Sequence, residues 1–239
     1  MRLFAAILTL FLLPAHFLLA QSEPIMGQDA PEDFEFERPA DSEPAFRLLA
    51  MDGKTHTLFV RVGSFFAPIE IGTDRYMPDT YAAPRNDNLT FYTRKKDGER
   101  VFFTPVLTIP TKGLIDMVVG VFRRDDGTYA GNIVDISIAK MPLSSFSVVN
   151  LSPYTMGFGI DKAAVKLKPF ESYTREISGA KNGAAVDFKT FDLSGPKPRM
   201  TLSTDFSFSG GRRCVVYIFG NPAKEGASSR IVKVERGPR

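Results

Sequence analysis

The sequence predicts an all-β protein made of two tandem antiparallel β-sandwiches. Three observations carry this. Almost every periodic segment of the body alternates with period two, as a half-buried strand does, and none has the 3.6-residue period of a helix. Turn residues punctuate the chain at short, near-regular intervals, as in sandwiches. One long hairpin, Gly113 to Lys140, is echoed by a second stretch, Gly211 to Glu235. Gly113 and Gly211 open the two stretches, and Ile133 and Ile231 open their closing strands; both pairs are 98 positions apart. A period near a hundred residues means tandem domains rather than a solenoid, whose repeats run about 20–50 residues.

Residues 1–20 read as an export signal: Arg2 supplies the positive start, Leu3 to Leu19 is apolar, and Ala20 marks a cut before Gln21. Residues 21–44 carry eight acids and one base, Arg38. Such a segment, lacking periodicity, is expected to be a disordered linker. The body from Ala45 onward then carries +9, against −7 in the leader. That asymmetry suggests an anionic partner, or a leader that folds back on the body. Phe34 and Phe36, alternating with acids, would also suit strand addition to a partner's sheet edge.

In the body, Phe46 to Ala50, the turn Asp52-Gly53 and Thr57 to Val62 predict an opening hairpin. Pro68 to Gly72 is a short strand, followed by a long loop, Thr73 to Asn88. Leu89 to Arg94 and Arg100 to Ile109 flank the turn at Lys96-Asp97-Gly98. The first domain, residues 45–141, ends at Met141-Pro142, because Pro cannot donate to a ladder. The second, residues 142–239, restarts at Phe146 to Asn150. Phe158 to Ile160, Val165 to Leu167 and Ala184 to Phe188 are further short strands. Met200 to Phe208 alternates cleanly, with Met200, Leu202, Phe206 and Phe208 on one face. Leu58 to Val62 aligns with Phe146 to Asn150, so the offset between halves is expected to grow from about 88 to 98 through loop insertions.

Immunoglobulin-like is the nearest architecture, although the Cys…Trp…Cys signature is absent. The strand Val148 to Pro153 and the later Leu167-Lys168-Pro169 resemble a pattern in uncharacterised exported bacterial β-sandwich proteins. The resemblance implies fold and export, and no activity.

Residue usage removes much chemistry. Cys214 is the only cysteine, so the chain has no internal disulfide, and its apolar setting predicts a packed thiol. Once the signal with His16 is gone, His56 is the only histidine, so a Ser-His-Asp triad would have to run through it. No metal site is marked: Asn86-Asp87-Asn88 and Asp125-Asp126-Gly127 read as turns rather than calcium loops. No cofactor motif is present, since Gly157-Phe158-Gly159 lacks the third glycine and lies among strands.

The candidate ligand-binding residues are basic turn tips, Lys95, Lys96, Arg123 and Arg124, which a meander from Leu89 to Ile138 would gather at one end of a sheet, with Lys112 at the other. Arg forks match carboxylate or phosphate oxygens. The loop residues Arg75, Tyr76 and Tyr81 form a second candidate. The expected protein is an exported, periplasmic or extracellular, non-enzymatic module that binds an anionic polymer or an envelope protein. It is not expected to bind nucleic acid or to span a membrane once the signal is removed. The alternative is an accessory or hydrolytic domain acting on envelope polysaccharide through paired carboxylates. Asp116, the one acid in a strongly apolar run, has no marked partner acid.

Overall fold

The computed structural model describes residues 23–37, 39–40, 43–72, 81–83, 87–151, 155–160, 163–177, 184–193, 196–208, 211–219 and 230–236. The export signal, Arg75, Tyr76 and the turn after Phe219 lie outside them. Every described element is a strand. No helix among the described residues is long and apolar enough to cross a membrane.

The leader gives β1 (Ile25–Met26) and β2 (Gln28–Asp29). The first half continues with β3 (Ala45–Ala50), β4 (His56–Val62), β5 (Phe65–Ile71), β6 (Tyr81–Ala82), β7 (Asn88–Asp97), β8 (Arg100–Pro110), β9 (Asp116–Arg123) and β10 (Tyr129–Asp135). The second half holds β11 (Ser145–Asn150), β12 (Met156–Ile160), β13 (Ala163–Leu167), β14 (Ser172–Glu176), β15 (Ala184–Asp192), β16 (Arg199–Phe208), β17 (Arg213–Phe219) and β18 (Arg230–Arg236).

Four sheets result. Sheet I has the order β1-β8-β7-β4-β5-β2, and sheet II has β10-β9-β3-β6. Sheet III has β14-β11-β17-β18, and sheet IV has β13-β12-β15-β16. With the leader strands set aside, the two halves repeat one strand order. Sheet IV repeats sheet I, and sheet III repeats sheet II. Even the irregularities match: β7 and β8 slip register between Phe91 and Tyr92, β15 and β16 between Thr190 and Phe191, 99 positions on.

Three apolar cores separate the layers. Phe46, Leu48, Val60, Phe91 and Val119 fill the space between sheets I and II. Phe146, Val148, Phe158, Phe188 and Val216 fill that between sheets III and IV. Leu49, Val118, Val149, Val215 and Tyr217 join sheet II to sheet III. The stack therefore runs I, II, III, IV. β3 and β11 are buried along their whole length, β9 from Asp116 to Val121, because both of their faces are covered.

The register corrects several expectations. β3 and β4 do not form a hairpin: Asp52-Gly53 carries the chain from sheet II to sheet I. A strand apolar on both faces has to lie in an inner sheet, whereas β4 alternates and belongs to an outer one. The segment from Leu89 to Ile138 is not one meander either, because β8 and β9 lie in different sheets. Phe146 to Asn150 corresponds to β3, not to Leu58 to Val62, so the offset between halves stays close to a hundred throughout. Sheet IV is purely antiparallel, but the other three are mixed: β3 pairs with β9, β11 with β17 and β2 with β5 in parallel. Parallel neighbours need a long crossover, and the chain through β4 to β8 supplies one. The strand order also differs from the immunoglobulin one, which places the first, second, fourth and fifth strands together. Here the second, third, fifth and sixth strands of each half share a sheet.

The described part of the leader is not a disordered linker. Ile25 and Met26 pair with Phe103 and Phe102 on one edge of sheet I, and Gln28 and Asp29 pair with Phe65 and Phe66 on the other. Each leader strand covers two residues of its edge and so shortens the unpaired ladder that an open sheet exposes.

Candidate functional site

The β7–β8 and β9–β10 hairpins end in the predicted basic tips. The chain leaves the first tip along β8, crosses at residues 111–115 and returns along β9, so connectivity puts both tips at one end of the first half, on different sheets. Lys95 and Lys96 are exposed, and neither has an ion pair among the described residues. Arg123 is already engaged. Its Nε donates to the Gly127 carbonyl at 3.0 Å, and its guanidinium lies 5.8 Å from the centre of the Tyr129 ring. The Arg124 amide closes the turn on the Thr128 carbonyl. Asp126 sits in the same turn. The Thr128 hydroxyl and amide both donate to it and hold its carboxyl below the ordinary value. Lys112, at the other end, lies 3.8 Å from Asp87.

Tyr81 is 8% exposed and packs edge-on against Phe36, with its ring tilted over Phe46. The structure thus places it in the first core, away from Lys95 and Lys96.

Beneath the second tip lies the His56–Asp52 pair. His56 Nε2 is 2.9 Å from both carboxylate oxygens of Asp52, and the ring meets Tyr129 edge-on at 5.5 Å. Burial pushes the Asp52 carboxyl up. The hydrogen bonds from His56 and from the amides of Arg123 and Lys54 pull it down further, so it ends below its ordinary value. Among the described residues the His56 ring is hydrogen-bonded to Asp52 and to no hydroxyl or thiol. The pair ties the β3–β4 crossing to the end of β9.

One charge contact near the tips was not visible in the sequence. On β7, Arg94 grips Asp29 of the leader: Nε and Nη2 each donate to one carboxylate oxygen at 2.7 Å. Arg94 lies beside Lys95 and Lys96, so the hairpin that carries the basic tip already holds a carboxylate by a two-pronged contact. Residues 29 and 94 are 65 positions apart and in segments of different composition. The opposed charges of leader and body were the only signal for the contact.

At the midline between the halves, Asp116 opens β9 and is 4% exposed. It accepts from Arg47 Nη1 and, at 2.9 Å, from Arg213 Nη2. Arg213 also donates to the carbonyls of Ile136 and Met141, at the joint between the halves. Both oxygens of this carboxylate are thus engaged by guanidinium groups, and the cluster ties β9 to β3, to β17 and to the joint between the halves. Cys214 follows Arg213 on the other face of β17 and is buried in the core of the second half. Among the described residues no cluster of His, Cys, Asp and Glu would hold a metal ion.

Neither the family models nor the curated proteins contain a match to this chain.

Proposed function

We propose that this chain is an exported, non-enzymatic module of two tandem β-sandwiches, immunoglobulin-like in having two packed sheets per domain. It docks to an anionic component of the envelope or extracellular matrix through the tips at Lys95, Lys96, Arg123 and Arg124. The observation that carries this reading is the Arg94–Asp29 contact. It shows a carboxylate seated two-pronged on the hairpin whose tip presents Lys95 and Lys96 to solvent. Arg–carboxylate forks of this kind give geometric specificity as well as attraction.

Co-sedimentation of the mature protein with envelope fractions and acidic polysaccharides, at low and high salt, tests the reading. Exposed charge pairs are screened within about 8 Å at physiological ionic strength, so binding should weaken as salt rises. Lys95→Ser with Lys96→Ser should abolish it. Arg123→Ser and Arg124→Ser should weaken it, with circular dichroism as a check that the turn survives the loss of the Arg123–Gly127 contact. Binding that ignores salt and all four changes would overturn the site. Export is tested by N-terminal sequencing of the secreted or periplasmic product, expected to begin at Gln21.

A further inference from the structure

The outer face of sheet I is basic and aromatic, and the chain's own leader lies across it. Alternation along β4 sends Leu58 and Val60 into the core, so Phe59 and Arg61 point outward. Past the register slip in β7, Tyr92, Arg94 and Lys96 share that outward face. Phe66 and Phe103, from the two edge strands, stack on each other with ring centres 3.9 Å apart and 9° between planes. Phe59 meets Phe103 at 5.5 Å, and Tyr92 meets Phe66 at 5.0 Å. The result is an aromatic floor flanked by Arg61, Arg94 and Lys96.

Residues 25–29 cross this floor. The Gly27 amide donates to the Val101 carbonyl at 3.1 Å, and the Ala30 amide to the Phe66 carbonyl at 2.9 Å. At the crossing only a glycine fits: a Cβ on residue 27 would lie 2.6 Å from Phe66 Cε2 and 3.0 Å from Phe103 Cδ2. Under the leader Phe66 is 2% and Phe103 0% exposed. The leader thus presents to this face an extended backbone and a carboxylate, Asp29, on Arg94.

We propose that the leader is a built-in competitor, and that residues 25–29 occupy a face of sheet I that takes a carboxylated polysaccharide. Sugar rings would lie on the aromatic floor, with uronate carboxylates on Arg94, Arg61 and Lys96. The seated Asp29 carboxylate favours uronates over other polyanions. The inference rests on the anion-binding reading above and adds to it a second contact surface and a means of control. Ligand engages fully only when the strap lifts, so the apparent affinity is reduced by the fraction of molecules with the strap down.

The test uses polygalacturonate and the full mature chain. Binding is compared for the unmodified protein, Asp29→Asn, Gly27→Val and Arg94→Ser, and amide hydrogen exchange is followed at Gly27 and Phe103. Asp29→Asn removes an exposed pair, so binding should tighten about two- to fivefold. Gly27→Val should tighten it through a different contact, by expelling the strap sterically. Arg94→Ser should weaken it, although it too loosens the strap. Saturating ligand should speed exchange at Gly27. If the unmodified protein binds and the two strap variants bind no tighter, the competitor role is overturned while the tip site stands. If no variant binds at any salt, with exchange showing the strap released in Gly27→Val, both readings fall.

Discussion

Asp116 and Arg213 occupy the same position in the two halves, and they bind each other. Each opens the strand that pairs in parallel with the first strand of its half: Ala45 faces Asp116, and Ser145 precedes the Phe146–Cys214 pair. Neighbours in the middle core are matched in the same way, Leu49 with Val149 and Val118 with Val215. Equivalent surfaces meeting about a near-twofold axis are the signature of an isologous interface. Here both surfaces belong to one chain, and equivalent positions have diverged into opposite charges.

Breaking that pair should be costly. Removing one partner of a buried ion pair leaves an uncompensated charge, worth about 3–5 kcal/mol. Asp116→Ala, which takes the carboxylate from both Arg47 and Arg213, should lower stability by that amount in urea unfolding. Reversal of the pair, Asp116→Arg with Arg213→Asp, should recover only part, because the reversed aspartate cannot donate to the Ile136 and Met141 carbonyls. A cost below about 1 kcal/mol for Asp116→Ala would show that the midline does not depend on this carboxylate.

The two hairpin entries give a test of equivalence. Gly113 and Gly211 are both left-handed, with φ of 76° and 72°, and a Cβ at either would meet nothing within 4 Å. Gly→Ala at either site therefore costs backbone strain alone, roughly 1–2 kcal/mol. The two losses, measured by thermal unfolding, should agree closely. Gly131→Ala should be costly for another reason: its Cβ would lie 2.9 Å from Leu107 Cδ2 and 3.0 Å from the Gly120 carbonyl oxygen. Unequal losses at Gly113 and Gly211 would argue that the halves are not conformational equivalents.

What could be read from the sequence follows from how local each signal is. The hairpins β7–β8 and β9–β10 are set by alternation and by glycine turns a few residues long, and both were legible. The route between sheets was not. Asp52-Gly53 has the residues of a two-residue hairpin turn. Its chain crosses instead because Phe46 and Leu48 serve one core while Leu49 serves another. The leader misled in a similar way. Its acids predict disorder, yet Phe34 packs on Phe65 and Phe36 on Tyr81, and the backbone of residues 25–29 pairs with edges that exist only after β4, β5, β7 and β8 have assembled. Lys95 and Lys96 were visible as charges at a turn. Arg94, one position earlier, could not be told from them until Asp29 was seen on it.

Acid should weaken the β3–β4 crossing. Asp52 has its carboxyl lowered in the folded chain from an ordinary 3.8. A group whose folded value is depressed stabilises above the unfolded value and loses that contribution as pH falls through the folded one. The Asp52 contribution should therefore be complete above about pH 5, begin to fall as pH approaches the unfolded value, and be gone only once pH has dropped below the folded one, which lies under 3.8. Asp52→Asn should flatten the acid limb of the stability curve in that window, measured by urea midpoints across pH. An unchanged acid limb in the variant would assign the pH dependence to other carboxylates.

Tyr217 makes the sharpest prediction about the midline. Its side chain is fully buried in the middle core, and burial raises its hydroxyl above the ordinary tyrosine range. Its hydroxyl has no hydrogen-bond partner among the described residues. A buried hydroxyl left unpaired costs about 1–3 kcal/mol relative to water, so deleting it should not harm the fold. Tyr217→Phe is expected to leave stability unchanged or raise it by up to about 2 kcal/mol in urea unfolding. Tyr217→Ala, which removes the ring, should instead lose about 3–5 kcal/mol as a large cavity opens between sheets II and III. If Tyr217→Phe destabilises by more than about 1 kcal/mol, the hydroxyl has a partner, and the midline is a polar network rather than an apolar seam around one ion cluster.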